Sequence, residues 1–249
     1  MSPLLPLCPP HCRACDLRAH SAFKALEDGA LDAINRVRSH TSAFRAGTTL
    51  IRESQVGGQL YTLYSGWAFR YKTLADGRRQ ILNFLLPGDL IGLQQEFGGE
   101  AAHGVELLTD CALCVFEGER LFHVYRDYPR LGYDITWLAA QEERHVDDNL
   151  LTAGRRNALE RVAMLLLHLY RRMERIGQAE GASMAFPLTQ QHIADALGLS
   201  LVHTNKTLRK LHQLGLHDLA DGRLFLRNPH ALASLAEYYD RPPRRLPLL

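Results

Sequence analysis

The stretch Leu188-Thr-Gln-Gln-His-Ile-Ala-Asp-Ala-Leu-Gly-Leu-Ser-Leu-Val-His-Thr-Asn-Lys-Thr-Leu-Arg-Lys-Leu-His-Gln-Leu-Gly-Leu216 decides the fold. Thr189 suits the N-cap of a short helix whose inward residues are Ile193, Ala194 and Leu197. Gly198 supplies a turn where the backbone needs positive φ and a Cβ would obstruct two closely packed helices. Ser200 caps a second helix and Gly215 ends it. Stepping residues 201–214 by about 100° each puts Leu201, Thr204, Leu208 and Leu211 on one side. Val202, His203, Lys206, Arg209, Lys210 and Gln213 fall on the opposite arc, with Asn205 on the flank.

A helix with a polar, cationic free face fits the major groove of DNA. There Lys and Arg favour guanine acceptors or phosphates, and Asn pairs with adenine. Leu219-Ala-Asp-Gly-Arg-Leu-Phe-Leu226 reads as a tight hairpin about Asp221-Gly222, a wing that brings Arg223 to the phosphate backbone. An amphipathic helix pair with a solvated cationic face would share part of this pattern. It would not call for the caps, the glycine turn and the hairpin together.

Outward from this segment, charge is uneven. Residues 155–249 carry 14 Lys/Arg against 8 Asp/Glu, and residues 1–154 carry 15 against 19, which leaves the chain at +2. A basic C-terminal third suits a module that meets a polyanion. No apolar run is long enough to span a bilayer, and the N-terminus lacks the basic and apolar regions of a signal peptide. The expectation is a cytoplasmic protein with reduced cysteines and no membrane partner. There is no Gly-x-Ser-x-Gly, no His-Glu-x-x-His and no phosphate-cradling glycine loop, so an enzyme is not expected.

From residue 41 to 117 glycine-bearing turns recur about every ten residues, the cadence of an antiparallel roll. Asp76-Gly77 between Trp67–Leu74 and Gln80–Leu86 is a hairpin signal. The fold class is therefore α+β: an N-terminal antiparallel β-roll, a long dimerisation helix and a C-terminal winged helix-turn-helix. The divisions are a cysteine-rich segment (1–20), a β-roll sensor (21–120) opening on a helical pattern over 21–40, a helix (121–153), a winged helix-turn-helix (154–240) and a loose, proline-rich tail (241–249). Residues 177–186 read as a loop. Leu131, Ile135, Leu138 and Val146 fall at spacings that make a narrow seam, suited to a twin helix in a homodimer or to packing across the roll.

This order of parts resembles the CRP/FNR family of bacterial regulators over roughly residues 20–238. The marks are Phe44-Arg-Ala-Gly-Thr-Thr-Leu-Ile, Tyr64-Ser-Gly-Trp, Leu86-Pro-Gly-Asp-Leu-Ile-Gly and Ile193-Ala-Asp-Ala-Leu-Gly-Leu-Ser. The resemblance implies homodimers on palindromic operators and contact with RNA polymerase. It also implies one of several inputs. The cyclic-nucleotide branch holds its phosphate with an arginine of the roll, yet here no Lys or Arg lies between Arg79 and Arg120, so cAMP is not expected.

The cysteines resemble the oxygen-sensing FNR branch, which holds a [4Fe–4S] cluster. Cys12, Cys15 and Cys114 match its pattern, but the ligand expected six residues after Cys15 is Ser21. The fourth thiolate is then Cys8 or Cys111. Cys111 and Cys114 lie three apart on a strand and face opposite sides, which favours Cys8, Cys12, Cys15 and Cys114. Alternatives stay open: buried structural cysteines, zinc, a thiol switch, a haem-dependent member, or a regulator that senses nothing through these residues. The recognition helix departs from FNR-type readers, with Val202, Asn205 and Lys206 where those have Glu, Ser and Arg. Val146 stands where they place an aspartate that opposes dimerisation.

Overall fold

A computed structural model describes residues 8–239 and 244–249, which fall into two compact units. Residues 1–7 and 240–243, parts of the N-terminal segment and of the tail, lie outside the described residues.

The first unit takes in residues up to 72, then 84–144 and 244–249. A 3-10 turn (Cys12–Ala14) and a short helix α1 (Asp16–Ala19) lead to α2 (Asp28–Val37). Then follow β1 (Arg38–Phe44), β2 (Thr49–Ile51), β3 (Gln59–Ser65), β4 (Ala68–Thr73), β5 (Arg79–Leu85) and β6 (Leu90–Ile91). After α3 (Leu93–Gly98) come β7 (Gly104–Leu107), β8 (Cys111–Glu117), α4 (Leu121–Asp127) and α5 (Pro129–Arg155). The strands form two four-stranded sheets, in the orders β1-β8-β3-β6 and β2-β7-β4-β5. Between them lies a core of Ile51, Leu63, Leu85, Val105, Leu107, Leu113 and Val115, to which Cys111 also belongs.

Three expectations change here. Over 21–40 only Asp28–Val37 is helical, and Arg38 already begins β1. The helix expected over 121–153 is two helices, because Pro129 cannot continue a preceding turn but suits a first helical position. The tail is not loose where it is described. Leu248 and Leu249 are buried, and Leu246 makes a parallel bridge with Phe23.

The second unit begins, after residues 73–83, at residue 145 within α5. α6 (Ala158–Arg175) is opened by a capping box in which Asn157 accepts from Leu159 and Glu160 while Glu160 accepts from the Asn157 amide. Next come β9 (Ala179–Glu180), β10 (Ser183–Ala185), α7 (Gln190–Leu197), α8 (Leu201–Gln213), β11 (His217–Ala220), β12 (Arg223–Leu226) and α9 (Pro229–Ala236). Residues 177–186 are thus a hairpin rather than a loop. Strands of two and three residues are too short to show a period, and Gly177 and Gly181 mark turns with positive φ. Their partner is the wing, giving the sheet β11-β12-β10-β9.

Candidate functional site: a DNA-reading helix and a buried cysteine centre

The helix-turn-helix is built as its capping residues dictate. The Thr189 hydroxyl accepts from the His192 amide at 3.2 Å, and the Thr189 amide donates to His192 Nδ1 at 3.1 Å. Gly198 ends α7 in the left-handed region at φ 62°, and the Ser200 hydroxyl accepts from the His203 amide at 3.2 Å. Ile193, Ala194, Leu197, Thr204, Leu208 and Leu211 are buried. Leu201, expected on the inner side, is 42% exposed, and Thr207 takes the inward place, its hydroxyl donating to the His203 carbonyl. Leu201 opens the first turn, beyond the reach of the core that the later turns cover.

Val202, His203, Lys206 and Arg209 are exposed together on the outer arc, with Lys210 and Gln213 beyond them. None of Lys206, Arg209 and Lys210 is in an ion pair among the described residues, so three cations face solvent on one side of α8. Asn205 is half-buried, with its Oδ1 turned inward and without a donor. It is a flank residue that must turn to meet a base.

The wing is the tight hairpin expected, with Asp221 and Gly222 both at positive φ. Arg223 lies on β12 at the wing, beside the first hairpin of the unit. Its Nε donates to Ser183 Oγ at 3.0 Å and its Nη2 lies 3.4 Å from the largely exposed Glu180 carboxylate, a weak surface pair. In the same unit Arg79 pairs with Asp195 of α7 at 3.2 Å.

The α5 seam also shifts. Leu131 and Ile135 are fully buried within their own unit, so they are core residues of the chain and cannot meet a partner helix. Leu138 is half-buried and Val146 is exposed. The large apolar residues that α5 leaves exposed are Tyr133, Val146, Leu150 and Leu151, so Val146 of the expected seam stays uncovered.

Cys8, Cys12, Cys15 and Cys114 are all buried and all free. β8 turns Cys111 into the roll core, where its thiol donates to the Trp67 carbonyl at 3.3 Å, and turns Cys114 to the other face, as a spacing of three requires. Gly66 makes room for Cys111, since a Cβ there would stand 2.5 Å from its sulfur. Burial pushes the Cys111 thiol up to about 11.

On the outer face the Cys114 thiol lies 3.0 Å from that of Cys8. A hydrogen bond from Cys8 brings Cys15 down to about 6, and the Arg18 charge and the Arg18 and Leu17 amides act in the same direction. Cys114 is lowered by its bond with Cys8 and then by Arg38. Cys8 is raised by those same two thiol contacts, and Cys12 by burial. Among the described residues, no three His, Cys, Asp or Glu side chains are spaced around a single metal ion.

Three residues that sequence reading passed over hold the centre. Asn35 Oδ1 accepts from the Cys12 amide at 3.1 Å. Arg38 donates to the Pro9 carbonyl at 3.1 Å and to that of Pro10. Arg18 donates through Nη2 to the Leu248 carbonyl at 3.0 Å, while among the described residues its buried Nε and Nη1 meet no oxygen acceptor and have the Cys12 thiol as their neighbour. Its charge is felt by Cys12, Cys15 and Cys114. Buried guanidinium donors facing three thiols, with no oxygen acceptor among the described residues, fit an anionic thiolate-bound group. An arginine three residues after the last cysteine of the trio was the available signal.

A roll followed by a capped helix-turn-helix and wing, with a cationic outer face, is the arrangement of a DNA-binding regulator. Residues 41–128 match the cyclic nucleotide-binding domain model, and residues 160–235 match the Crp-like helix-turn-helix domain model. The nitrogen fixation regulation protein FixK of Bradyrhizobium diazoefficiens is 30% identical, covering 90% of this chain and 93% of that protein. The fumarate and nitrate reduction regulatory protein of Salmonella typhimurium is 25% identical, over 92% and 91%. The solved structure of FixK2 from Bradyrhizobium japonicum superposes with a TM-score of 0.72 at 30% identity, over 79% of this chain and 96% of that one. The chain belongs to the CRP/FNR family of transcription regulators. No helix among its described residues is long and apolar enough to cross a membrane.

Proposed function

We propose that this DNA-binding regulator acts as a homodimer on a palindromic operator, under the control of a redox- or oxygen-labile [4Fe–4S] cluster held by Cys8, Cys12, Cys15 and Cys114. The observation that carries the reading is the clustering of four buried thiols, three of them facing the buried Arg18, whose Nε and Nη1 meet no oxygen acceptor among the described residues. Such a cluster, when bound, supplies a redox-active iron centre whose behaviour is tuned by hydrogen bonds and local charge. Arg18 compensates its negative charge. Asn35 and Arg38 fix the loop that carries Cys8 and Cys12 by holding the Cys12 amide and the Pro9 and Pro10 carbonyls.

Cyclic nucleotide is not the signal in this reading. The buried cation of the roll, Arg70, already pairs with Glu142 at 2.6 Å, and a phosphate would have to break that pair. The dimer closes over Tyr133, Val146, Leu150 and Leu151 of α5, and the regulator works in the cytoplasm in contact with RNA polymerase.

The test is purification without oxygen, followed by iron and sulfide analysis and a visible spectrum. Protein with roughly four irons per chain and broad absorption near ~400 nm is expected. Protein with neither rejects the cluster.

A second reading, a thiol switch without iron, is favoured by the 3.0 Å approach of the Cys8 and Cys114 sulfurs. A peroxide or a disulfide reagent would take two electrons as the two thiols lose their protons and join. Intact-mass analysis after mild oxidation of the iron-free protein reads that bond directly.

A further inference from the structure

The tail is where the molecule departs furthest from its sequence. The Leu246 amide donates to the Ala22 carbonyl at 2.7 Å, and the Lys24 amide donates to the Leu246 carbonyl at 2.8 Å. Phe23 and Leu248 are buried together. Gly88, at φ +99°, leaves room for the Phe23 ring, since a Cβ there would lie 2.8 Å from it, and Leu248 packs beside the same glycine. The seat is tied onward to α5, because Lys24 Nζ lies 2.5 Å from Asp134. Arg18, which faces the thiols, is the residue that holds the Leu248 carbonyl.

We propose that residues 244–249 form a latch seated on the cysteine segment. Arg18 couples latch and cysteine centre, so that docking of the one and integrity of the other strengthen each other. This deepens the cysteine-centre reading above and rests on it for the identity of the anionic group.

The physical reason is the cost of burying a guanidinium. With the latch seated and an anionic centre present, the Leu248 carbonyl takes one donor group and the centre takes the other two. Without the centre, Arg18 holds a poorly compensated buried charge. There the thiols alone face Arg18, so turning out to water costs less and the latch is held less tightly, though still seated. Coupling between two sites is reciprocal, so unseating the latch must loosen the cysteine segment by the same factor.

Two measurements on iron-free, full-length protein test the coupling. In the first, Leu246→Pro and Leu248→Ala are introduced together, and alkylation of Cys12 and Cys15 by iodoacetamide is followed by peptide mass analysis. Alkylation roughly tenfold faster than in the parent is expected. A change within twofold overturns the proposal. In the second, Arg18→Gln is expected to raise hydrogen exchange at the Leu246 and Lys24 amides roughly tenfold, while Arg18→Lys, which keeps the charge, recovers most of the protection. Unchanged exchange in Arg18→Gln, with circular dichroism matching the parent, overturns it equally.

Iron-loaded protein separates this idea from the one beneath it. If the parent holds iron, its visible absorption should decay in air more slowly than that of the latch variant, and equal decay counts against the coupling. If neither protein ever holds iron, the cluster reading fails, and the latch stands or falls on the two iron-free measurements.

Discussion

Replacing Glu142 by Gln should destabilise the roll unit more than removing both members of its ion pair. Arg70 lies on β4 with a side chain 8% exposed, and its Nη2 stands 2.6 Å from the carboxylate of Glu142, which is 24% exposed. Breaking a buried pair from one side leaves an uncompensated charge and costs about 3–5 kcal/mol. The partial exposure of Glu142 places this pair at the lower end, about 3 kcal/mol. Replacing both residues by Met removes the stranded charge and should cost about 1 kcal/mol or less.

Both tryptophans of the chain, Trp67 and Trp137, lie in this unit, so their fluorescence in urea reports its unfolding. With an m of about 2 kcal/mol/M, Glu142→Gln should lower the midpoint by about 1.5 M and the double variant by less than about 0.5 M. A double variant less stable than Glu142→Gln would refute the reasoning. It would mean that the pair is a net source of stability rather than a compensated liability.

Further outcomes follow from the same structure. His103 and His217 are each pushed down to about 4, first by burial and then by nearby positive charge, so both stay neutral in the folded state while the unfolded chain protonates near 6.5. Stability should therefore be constant above that value and fall as pH drops from 6.5 towards 4, by about 3 kcal/mol for each histidine. His103→Gln should flatten the fluorescence-detected slope of the first unit. Lys206→Ala should weaken operator binding and reduce the salt slope of the binding constant by about 1. Arg223→Ala should weaken operator binding uniformly across sequences and reduce the salt slope by about 1, because its exposed pair with Glu180 is too weak to keep it from a phosphate, and an unchanged slope would remove it from the interface. Val146→Asp should turn the iron-free dimer towards monomer in size-exclusion chromatography with light scattering, and an unchanged mass would remove Val146 from the seam.

What the sequence made legible was local. Thr189, Gly198 and Ser200 announced the helix-turn-helix because caps and positive-φ turns are written within a few residues of where they act. The opposition of Cys111 and Cys114 followed from strand alternation alone. What stayed hidden depends on partners far along the chain. Leu131 and Ile135 sit at seam spacing, but a helix lying on a sheet shows the same period towards its own core. The hairpin beside Arg223 was hidden because Glu180 and Ser183 belong to strands too short to carry a pattern. The proline-rich tail offered no periodicity, and its seat at Ala22–Lys24 is more than 200 residues away in sequence.

Cys111 carries one more consequence. Locked in the roll core with its thiol pushed up to about 11, it is both shielded and a poor nucleophile at neutral pH. It can react only when the roll opens, so its labelling rate is a clock for that opening, running in the same sample as the four outer thiols. A chemist counting sulfurs in the native protein should find four that answer to the state of the centre and a fifth that answers only to the life of the fold.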